Sequence, residues 1–449
     1  MLKLLPLAIL TALLKPAQAG LAHFEKTAYG DFSKKYNQAV SFYQSGEYQK
    51  AIALYNQILL LRLNPSDIHY NLGLAWLEEK NMDQAKKNFE MAVQFNLEDY
   101  EASMQLAHSL KRENHKEDAV DAYTKALEVN PELHEAHYDL ALVMVDLKHF
   151  DKAHEHFAKA LAISPDLYEA WNDWGILYDQ EGRRDEARQC YLKSLNLRND
   201  FFFAAYNLGL SYKNTREFQH ALKYYKIAHE LQPEHLETLV SLGTICNHLG
   251  KFETTIEYSS TLLARYPESI QGLYNLANAR FGLGQNLDAL NVYEMILEKK
   301  NDIPEIYNNM GIVALEMQKT DLAAAYYERA LTLRPDYISA LGNLGWARYL
   351  QGRISEAIQF TSQAVISRQN DPVLHYNLGL FYLEEGNLEQ AIQNYSKASK
   401  TSPRDPSALK DLQSAMEFAS NRDHFEEIIQ KFFVESTEVS EGKQPNTEQ

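Results

Sequence analysis

Leu208 and Tyr212, then Leu222 and Tyr225, place apolar residues at i, i+4 and i, i+3, the spacing of helices that bury one stripe. The pattern returns with a step of 34 residues: from Ala51 it lands on Ala85, Ala119, Ala153, Ala187, Ala221, Thr255, Ala289, Ala323, Ala357 and Ala391, alanine in ten of eleven cases. Twelve residues before these stand Ala39, Gly73, Ala107, Ala141, Gly175, Gly209, Gly243, Ala277, Gly311, Gly345 and Gly379, all glycine or alanine. Four residues after them stand Tyr55, Phe89, Tyr123, Phe157, Tyr191, Tyr225, Ser259, Tyr293, Tyr327, Thr361 and Tyr395, aromatic in nine cases. A small residue in each of two helices lets their axes approach, and the aromatic fills the space beside the contact. Gly46, Gly182, Gly250, Gly352 and Gly386 mark a turn between the helices, and Pro131, Pro165, Pro233, Pro267, Pro335 and Pro403 follow the second, which they cannot continue. Each period therefore predicts a helical hairpin.

These columns resemble the tetratricopeptide repeat, which has small residues at repeat positions 8, 20 and 27, an aromatic at 24 and proline at 32. Position 27 here is Ala92, Ala126, Ala160, Ala228, Ala330, Ala364 and Ala398, with Ile58, Ser194, Leu262 and Ile296 as departures. The resemblance covers residues 32–405 as eleven repeats, starting at Phe32, Ser66, Tyr100, His134, Tyr168, Phe202, Leu236, Ile270, Pro304, Ile338 and Pro372. It implies an all-α fold, a right-handed α-solenoid of hairpins. The seventh repeat departs most, with Thr255, Ser259 and Leu262 in place of three consensus residues. One hairpin cannot bury its apolar face alone, so the end of the array needs a cap. Residues 406–433 read as a capping helix pair, its second helix carrying Phe425, Ile428, Ile429, Phe432 and Phe433 on one face, and 434–449 as a disordered tail.

In proteins with this repeat the first helices line a concave groove through positions 2, 5, 6, 9, 12 and 13, and the resemblance carries those positions over to this chain. Position 6 holds Asn37, Asn71, Asn207, Asn275, Asn309, Asn343 and Asn377, with Gln105, Asp139, Asp173 and Ser241 completing the column. A carboxamide both donates and accepts, so such a row can hold the backbone of an extended peptide without reading its side chains. Position 5 holds Tyr36, Tyr70, Tyr138, Tyr206, Tyr274 and Tyr376, which offer apolar area with a polar tip. Thirteen acids, among them Asp139, Asp173 and Asp179, face three bases, Lys111, Arg112 and Lys213, across the six columns. The expected ligand is a protein or extended peptide segment, neutral or basic, received most strongly near the fourth and fifth repeats.

Composition narrows the partners. A net charge of −17 supplies no basic footprint for nucleic acid. Cys190 and Cys246 read as small apolar residues, without a disulfide. No G-x-x-x-x-G-K-[ST], G-x-S-x-G or H-E-x-x-H occurs, and neither an enzyme nor a cofactor is expected. His134, His137, His149, His154 and His156 crowd the fourth repeat, where surface histidines are the expectation and a metal is not. Asn394-Tyr395-Ser396 matches a glycosylation sequon but falls within a second helix, with Tyr395 in the packing column.

Residues 1–19 stand apart: Lys3, an apolar run from Leu4 to Leu14 and Ala17-Gln18-Ala19 make a secretory signal, followed by a leader over 20–31. The run is too short to span a bilayer, so no integral membrane span is expected. The resulting reading is an exported scaffold, placed in a bacterial periplasm and serving assembly, secretion or envelope processes. The alternatives are a cytoplasmic regulatory or co-chaperone-like adaptor, and a structural spacer or self-associating array.

Overall fold

The computed structural model describes residues 26–61 and 65–434, with side chains from Phe32 onward. The signal expected over 1–19 and the tail expected beyond Val434 lie outside the described residues. Among the described residues the chain forms 24 helices and no strand. They fall in two compact units, Met1–Glu217 and Phe218–Gln449. The first contains α1 (Lys26–Gln44), α2 (Tyr48–Leu59), α3 (Pro65–Glu78), α4 (Met82–Phe95), α5 (Tyr100–Arg112), α6 (Lys116–Val129), α7 (His134–Asp146), α8 (Phe150–Ile163), α9 (Tyr168–Gln180), α10 (Arg184–Leu197) and α11 (Phe202–Asn214). The second contains α12 (Phe218–Leu231), α13 (Leu236–His248), α14 (Phe252–Arg265), α15 (Ile270–Gly282), α16 (Asn286–Lys299), α17 (Pro304–Glu316), α18 (Thr320–Leu333), α19 (Ile338–Leu350), α20 (Ile354–Ser367), α21 (Pro372–Glu385), α22 (Leu388–Thr401), α23 (Pro406–Met416) and α24 (Arg422–Phe432). The division falls inside the sixth repeat, and nothing in the sequence columns marks it. Helix α1 begins at Lys26, inside the stretch expected as a leader; with no proline between Lys26 and Phe32, each added residue gains a helical hydrogen bond.

Helix starts follow from local chemistry. Asn81, Asp99, Ser269, Asp371, Asn387 and Asp405 accept backbone N–H bonds at the starts of α4, α5, α15, α21, α22 and α23, each cap contributing about 1 kcal/mol. Between the helices of a hairpin the chain turns through one left-handed residue. That residue is glycine at Gly46, Gly182, Gly250, Gly284, Gly352 and Gly386, but Lys80, Asn114, Lys148, Arg216 and Gln318 adopt the same positive φ. The turn is thus required at every repeat, even where the sequence offers no glycine.

Packing follows the columns. The recurring alanines from Ala51 to Ala391 are fully buried, as are Tyr55, Phe89, Tyr123, Phe157 and Tyr327. A Cβ added to Gly73, Gly175, Gly311 or Gly379 would collide with the ring of Phe89, Tyr191, Tyr327 or Tyr395 of its own repeat, so the glycine is what lets that ring lie across the first helix. Within each unit a second helix also packs on the following first helix, and first helices touch one another, as α7 touches α9 and α13 touches α15. The seventh repeat packs with its own residues: Thr255, Ser259 and Leu262 are buried, and Thr255 bonds back to the carbonyls of Gly243 and Lys251. At the C-terminal end, Leu412 of α23 and Phe425 and Ile428 of α24 join Tyr395 and Phe433 in one apolar cluster, which closes the second unit with a helix pair. Cys190 and Cys246 are buried free thiols, and burial pushes the Cys190 thiol up to about 12.

Candidate functional site

Because neighbouring first helices lie side by side, position 6 of one repeat meets position 5 of the repeat before it. In the first unit Asn71 Nδ2 donates to Tyr36 Oη at 2.7 Å, Tyr138 Oη donates to Asp173 at 2.6 Å, and Asn207 Nδ2 donates to Asn172 at 3.0 Å. In the second, Asn309 Nδ2 donates to Tyr274 Oη at 3.1 Å and Asn343 Nδ2 to Asn308 at 2.9 Å. Residues 35 apart in sequence thus form polar rungs between adjacent first helices. The rungs join side chains that the sequence offered to a ligand with Asn172 and Asn308, which it did not single out, and they fix those side chains in place.

Six residues of the two expected columns, Tyr36, Tyr70, Asn71, Ser241, Asn275 and Tyr376, are sealed inside instead. Tyr70 and Asn71 are fully buried, Tyr70 with its ring edge-on to Phe89 and Asn71 under Tyr36. Asn275 is buried because Ser259 leaves the seventh repeat without its aromatic. The side chain lies over Gly243, whose Cβ would sit 2.9 Å from Asn275 Nδ2, and bonds to the Val240 carbonyl at 3.1 Å and to Thr244 at 3.2 Å. Tyr376 is buried because the C-terminal cap covers it: its ring lies 5.8 Å from Phe433 and its hydroxyl donates to the Ser402 carbonyl. These six are not available to a ligand. Asn37 is exposed, and Tyr138, Asp139, Asp173, Tyr206, Asn207, Tyr274, Asn309, Asn343 and Asn377 are half-buried, the condition in which a side chain is both held and reachable.

The acids differ in their surroundings. Burial pushes the Asp139 carboxyl up, but the hydrogen bond from His108 at 2.9 Å and the charge of Lys111 at 2.8 Å outweigh it and leave it below the ordinary value. Asp173 accepts from Tyr138 and from Asn172 at 2.9 Å, yet burial prevails and its carboxyl is raised. Burial likewise raises Asp179, which accepts from Tyr191 at 3.0 Å, and Glu384, which accepts from Tyr349 at 3.4 Å. Other acids of the expected set carry partners, Asp146 with Lys116 at 3.3 Å and Glu305 with Arg334 at 2.7 Å, while Asp67 is buried.

The histidines of the fourth repeat are not a sequence-adjacent group on one face. His137 meets His156 on the paired helix, and His154 turns to Trp174 and Glu181. The signal that could have found this is the recurrence of histidine at repeat position 4 with a polar partner at position 23: His69 pairs with Asn88 at 2.9 Å and His375 with Asn394 at 2.8 Å. Asn394, the sequon asparagine, is buried in that pair. Among the described residues no three His, Cys, Asp or Glu side chains stand where they could hold a metal ion. Sequence reasoning also passed over Arg348, which is buried and pairs with Glu328 and, at 3.2 Å, with Glu356.

Three models described as Tetratricopeptide repeat match the chain, one at 36–95 and 104–168, one at 168–201, 204–235 and 373–405, and one at 302–365. None of these stretches includes 236–301, where the seventh repeat and its aromatic-free packing lie. No curated protein matches the sequence. Among solved structures, a tetratricopeptide repeat protein from Parabacteroides merdae is 18% identical, covers 55% of this chain and 98% of its own, and has a TM-score of 0.45. The APC/C hetero-tetramer Cut9-Hcn1 is 15% identical over 86% of this chain and 96% of that one, with a TM-score of 0.45. Yeast Tom70 is 14% identical over 90% and 99%, with a TM-score of 0.42.

Proposed function

We propose, from the premise that this chain belongs to the tetratricopeptide repeat family and is a scaffold for protein interaction, that its first-helix rows receive extended peptide segments of neutral or basic character. The observation that carries this reading is the row of rungs in which Tyr138 and Asp173, and Tyr274 and Asn309, are half-buried pairs, and half-buried Asn207 and Asn343 rest on the buried Asn172 and Asn308. In each asparagine rung one N–H is committed to the neighbouring helix, while a carboxamide carries two N–H groups and an oxygen with two lone pairs. The rung is therefore oriented in advance and still has capacity for a peptide backbone, which lowers the ordering cost of binding. The charge preference rests on Asp139 and Asp173, and the chain's net charge of −17 supports partners other than nucleic acid.

Among the described residues no helix is long and apolar enough to cross a membrane. The apolar run Leu4 to Leu14 followed by Ala17-Gln18-Ala19 supports an exported protein, placed in a bacterial periplasm and gathering components of an assembly, secretion or envelope process. Lys15, a charge close to the expected cut, is the observation that favours the second reading, a cytoplasmic adaptor with an uncleaved start. N-terminal sequencing of the mature protein separates the two: a first residue at Gly20 supports export, and an intact Met1 supports the adaptor.

The binding reading is tested with the full-length protein on a peptide array that varies charge at fixed length. Neutral and basic peptides are captured, and Tyr138→Ala or Asn207→Ala weakens capture by about tenfold, the loss of one good contact. Equal capture of acidic peptides removes the charge preference. Unchanged capture by both variants removes the site.

A further inference from the structure

Helix α8 is tied to the first helices on both sides by imidazoles. His156 Nδ1 lies 3.0 Å from His137 Nδ1 on α7, and His137 Nε2 lies 3.2 Å from the carbonyl oxygen of Pro131. A carbonyl only accepts, so His137 carries its proton on Nε2 and presents a lone pair at Nδ1, to which His156 donates. That bond needs one proton between two nitrogens. A second proton turns it into a contact between two donors. On the other side, Trp174 Nε1 of α9 lies 2.7 Å from His154 Nδ1, and His154 Nε2 lies 2.8 Å from Glu181 Oε2. An indole N–H only donates, so His154 Nδ1 presents a lone pair to it.

The chain contains its own control. His69 and His375 occupy the position of His137 in the second and eleventh repeats, and their Nδ1 atoms meet Asn88 Oδ1 and Asn394 Oδ1. A carboxamide oxygen accepts from a protonated ring as readily as from a neutral one, so those pairs keep their bond in acid. Of these three pairs, the fourth repeat alone replaces the asparagine by histidine.

We infer that α8 carries an acid-released clasp, whose bond to α7 through His156 holds at neutral pH and is lost as the histidine pair takes up a second proton. A cavity of about 680 Å³, lined by Leu127, Pro131, Leu140 and Ile163, opens beside the His137–His156 pair and gives water access to it. The charged groups around the pair are Glu128 and Glu132 from the α6 side and Lys152, Glu155 and Lys159 of α8. Around His154 stand Tyr178 of α9, Glu181, and Arg183, whose Nη1 lies 3.8 Å from Glu181. Burial, then the neighbouring His137 and Lys159, bring His156 down from 6.5 to about 4. Unfolded chain therefore binds this proton near 6.5 and folded chain near 4, so the clasp's contribution to stability is fully present above 6.5 and declines as pH falls from there toward 4.

The test is amide exchange on the full-length protein at pH 7.5 and pH 4.5, corrected for intrinsic rates, reading α8 against α4 of the same unit. Protection of α8 falls at least about tenfold more than that of α4, and the variant His156→Asn removes the difference. An equal fall in α4 and α8 of the wild type overturns the inference, as does an unchanged acid response in the variant. If that variant does not fold, NMR titration of the wild-type His156 ring decides: an apparent value well below 6.5 supports the clasp, and one at or above 6.5 overturns it.

Discussion

Between Met1 and Glu217 the first-helix row mixes carboxamide rungs, at Asn71 and Asn207, with the carboxylates Asp139 and Asp173, while between Phe218 and Gln449 the rungs at Asn309 and Asn343 run through carboxamides. Tyr138 and Asn172 converge on Asp173, and His108 and Lys111 on Asp139, whereas Asn309 meets Tyr274 and Asn343 meets Asn308. Tyr138–Asp173 has the same 35-residue spacing as Tyr274–Asn309 and Asn308–Asn343, so the repeat decides where those polar tips meet but leaves their charge open. A carboxamide rung keeps its donors and acceptors at every pH. A carboxylate rung carries a charge that burial opposes unless a cation stands beside it. The second unit places its buried charge elsewhere, on Arg348 of α19, which reaches Glu328 of α18 and Glu356 of α20 and so ties the ninth repeat to the tenth.

The largest effect expected comes from that arginine. Arg348→Ala empties the space of a buried side chain while Glu328 and Glu356, which reach solvent, can be hydrated, so its cost to the second unit is about 3 kcal/mol, chiefly lost packing. Denaturant unfolding of the full chain measures it, and a loss under about 1 kcal/mol would break the contrast by making the buried arginine incidental. Next comes Gly311→Ala, whose added Cβ collides with the Tyr327 ring. Overpacking of this kind costs about 1–3 kcal/mol. In the first unit Ala141 already carries a Cβ at the same position, beside Phe157, so Ala141→Gly is expected to cost about 1 kcal/mol through helix propensity. A neutral Gly311→Ala would show that the ring can shift at little cost.

The fold was legible because its packing contacts are local to a repeat and recur. Alanine, glycine and aromatic at fixed offsets imply a hairpin whatever surrounds it, and the buried Ala51, Ala85 and Tyr55 are that implication realised. The turn was legible only where glycine stands, since Lys80, Asn114, Lys148, Arg216 and Gln318 take the same φ under tertiary demand rather than by preference. Of the candidate site, the row was legible but its depth was not. Asn275 is sealed by the smallness of Ser259 in the preceding repeat, and Tyr376 by Phe433 beyond the last, and neither neighbour lies within a repeat of its own. Arg348 escaped for the opposite reason: its repeat position has no column, and only the structure brings its partners from two other helices.

The smallest expected effect tests the two carboxylates against each other. Asp173 has its folded value raised above the ordinary 3.8, so folding disfavours its charged form. Its contribution therefore improves as pH falls from that raised value toward 3.8, and Asp173→Asn removes this dependence. At pH 7 the substitution stabilises the first unit by about 1 kcal/mol, since Asn Oδ1 accepts from Asn172, its Nδ2 donates to the Tyr138 hydroxyl oxygen, and the desolvated charge is gone. Asp139 has the reverse sign: its folded value lies below 3.8, so its stabilisation is present above 3.8 and lost as pH falls further. Asp139→Asn accordingly costs about 1 kcal/mol at pH 7, because Lys111 and His108 lose their acceptor charge. Comparing each variant with the wild type at one pH cancels the acid response of α8, which all three chains share, provided the sites are independent. Two shifts of the same sign would mean that the first unit's carboxylates respond to burial alone, and that His108 and Lys111 do not distinguish them.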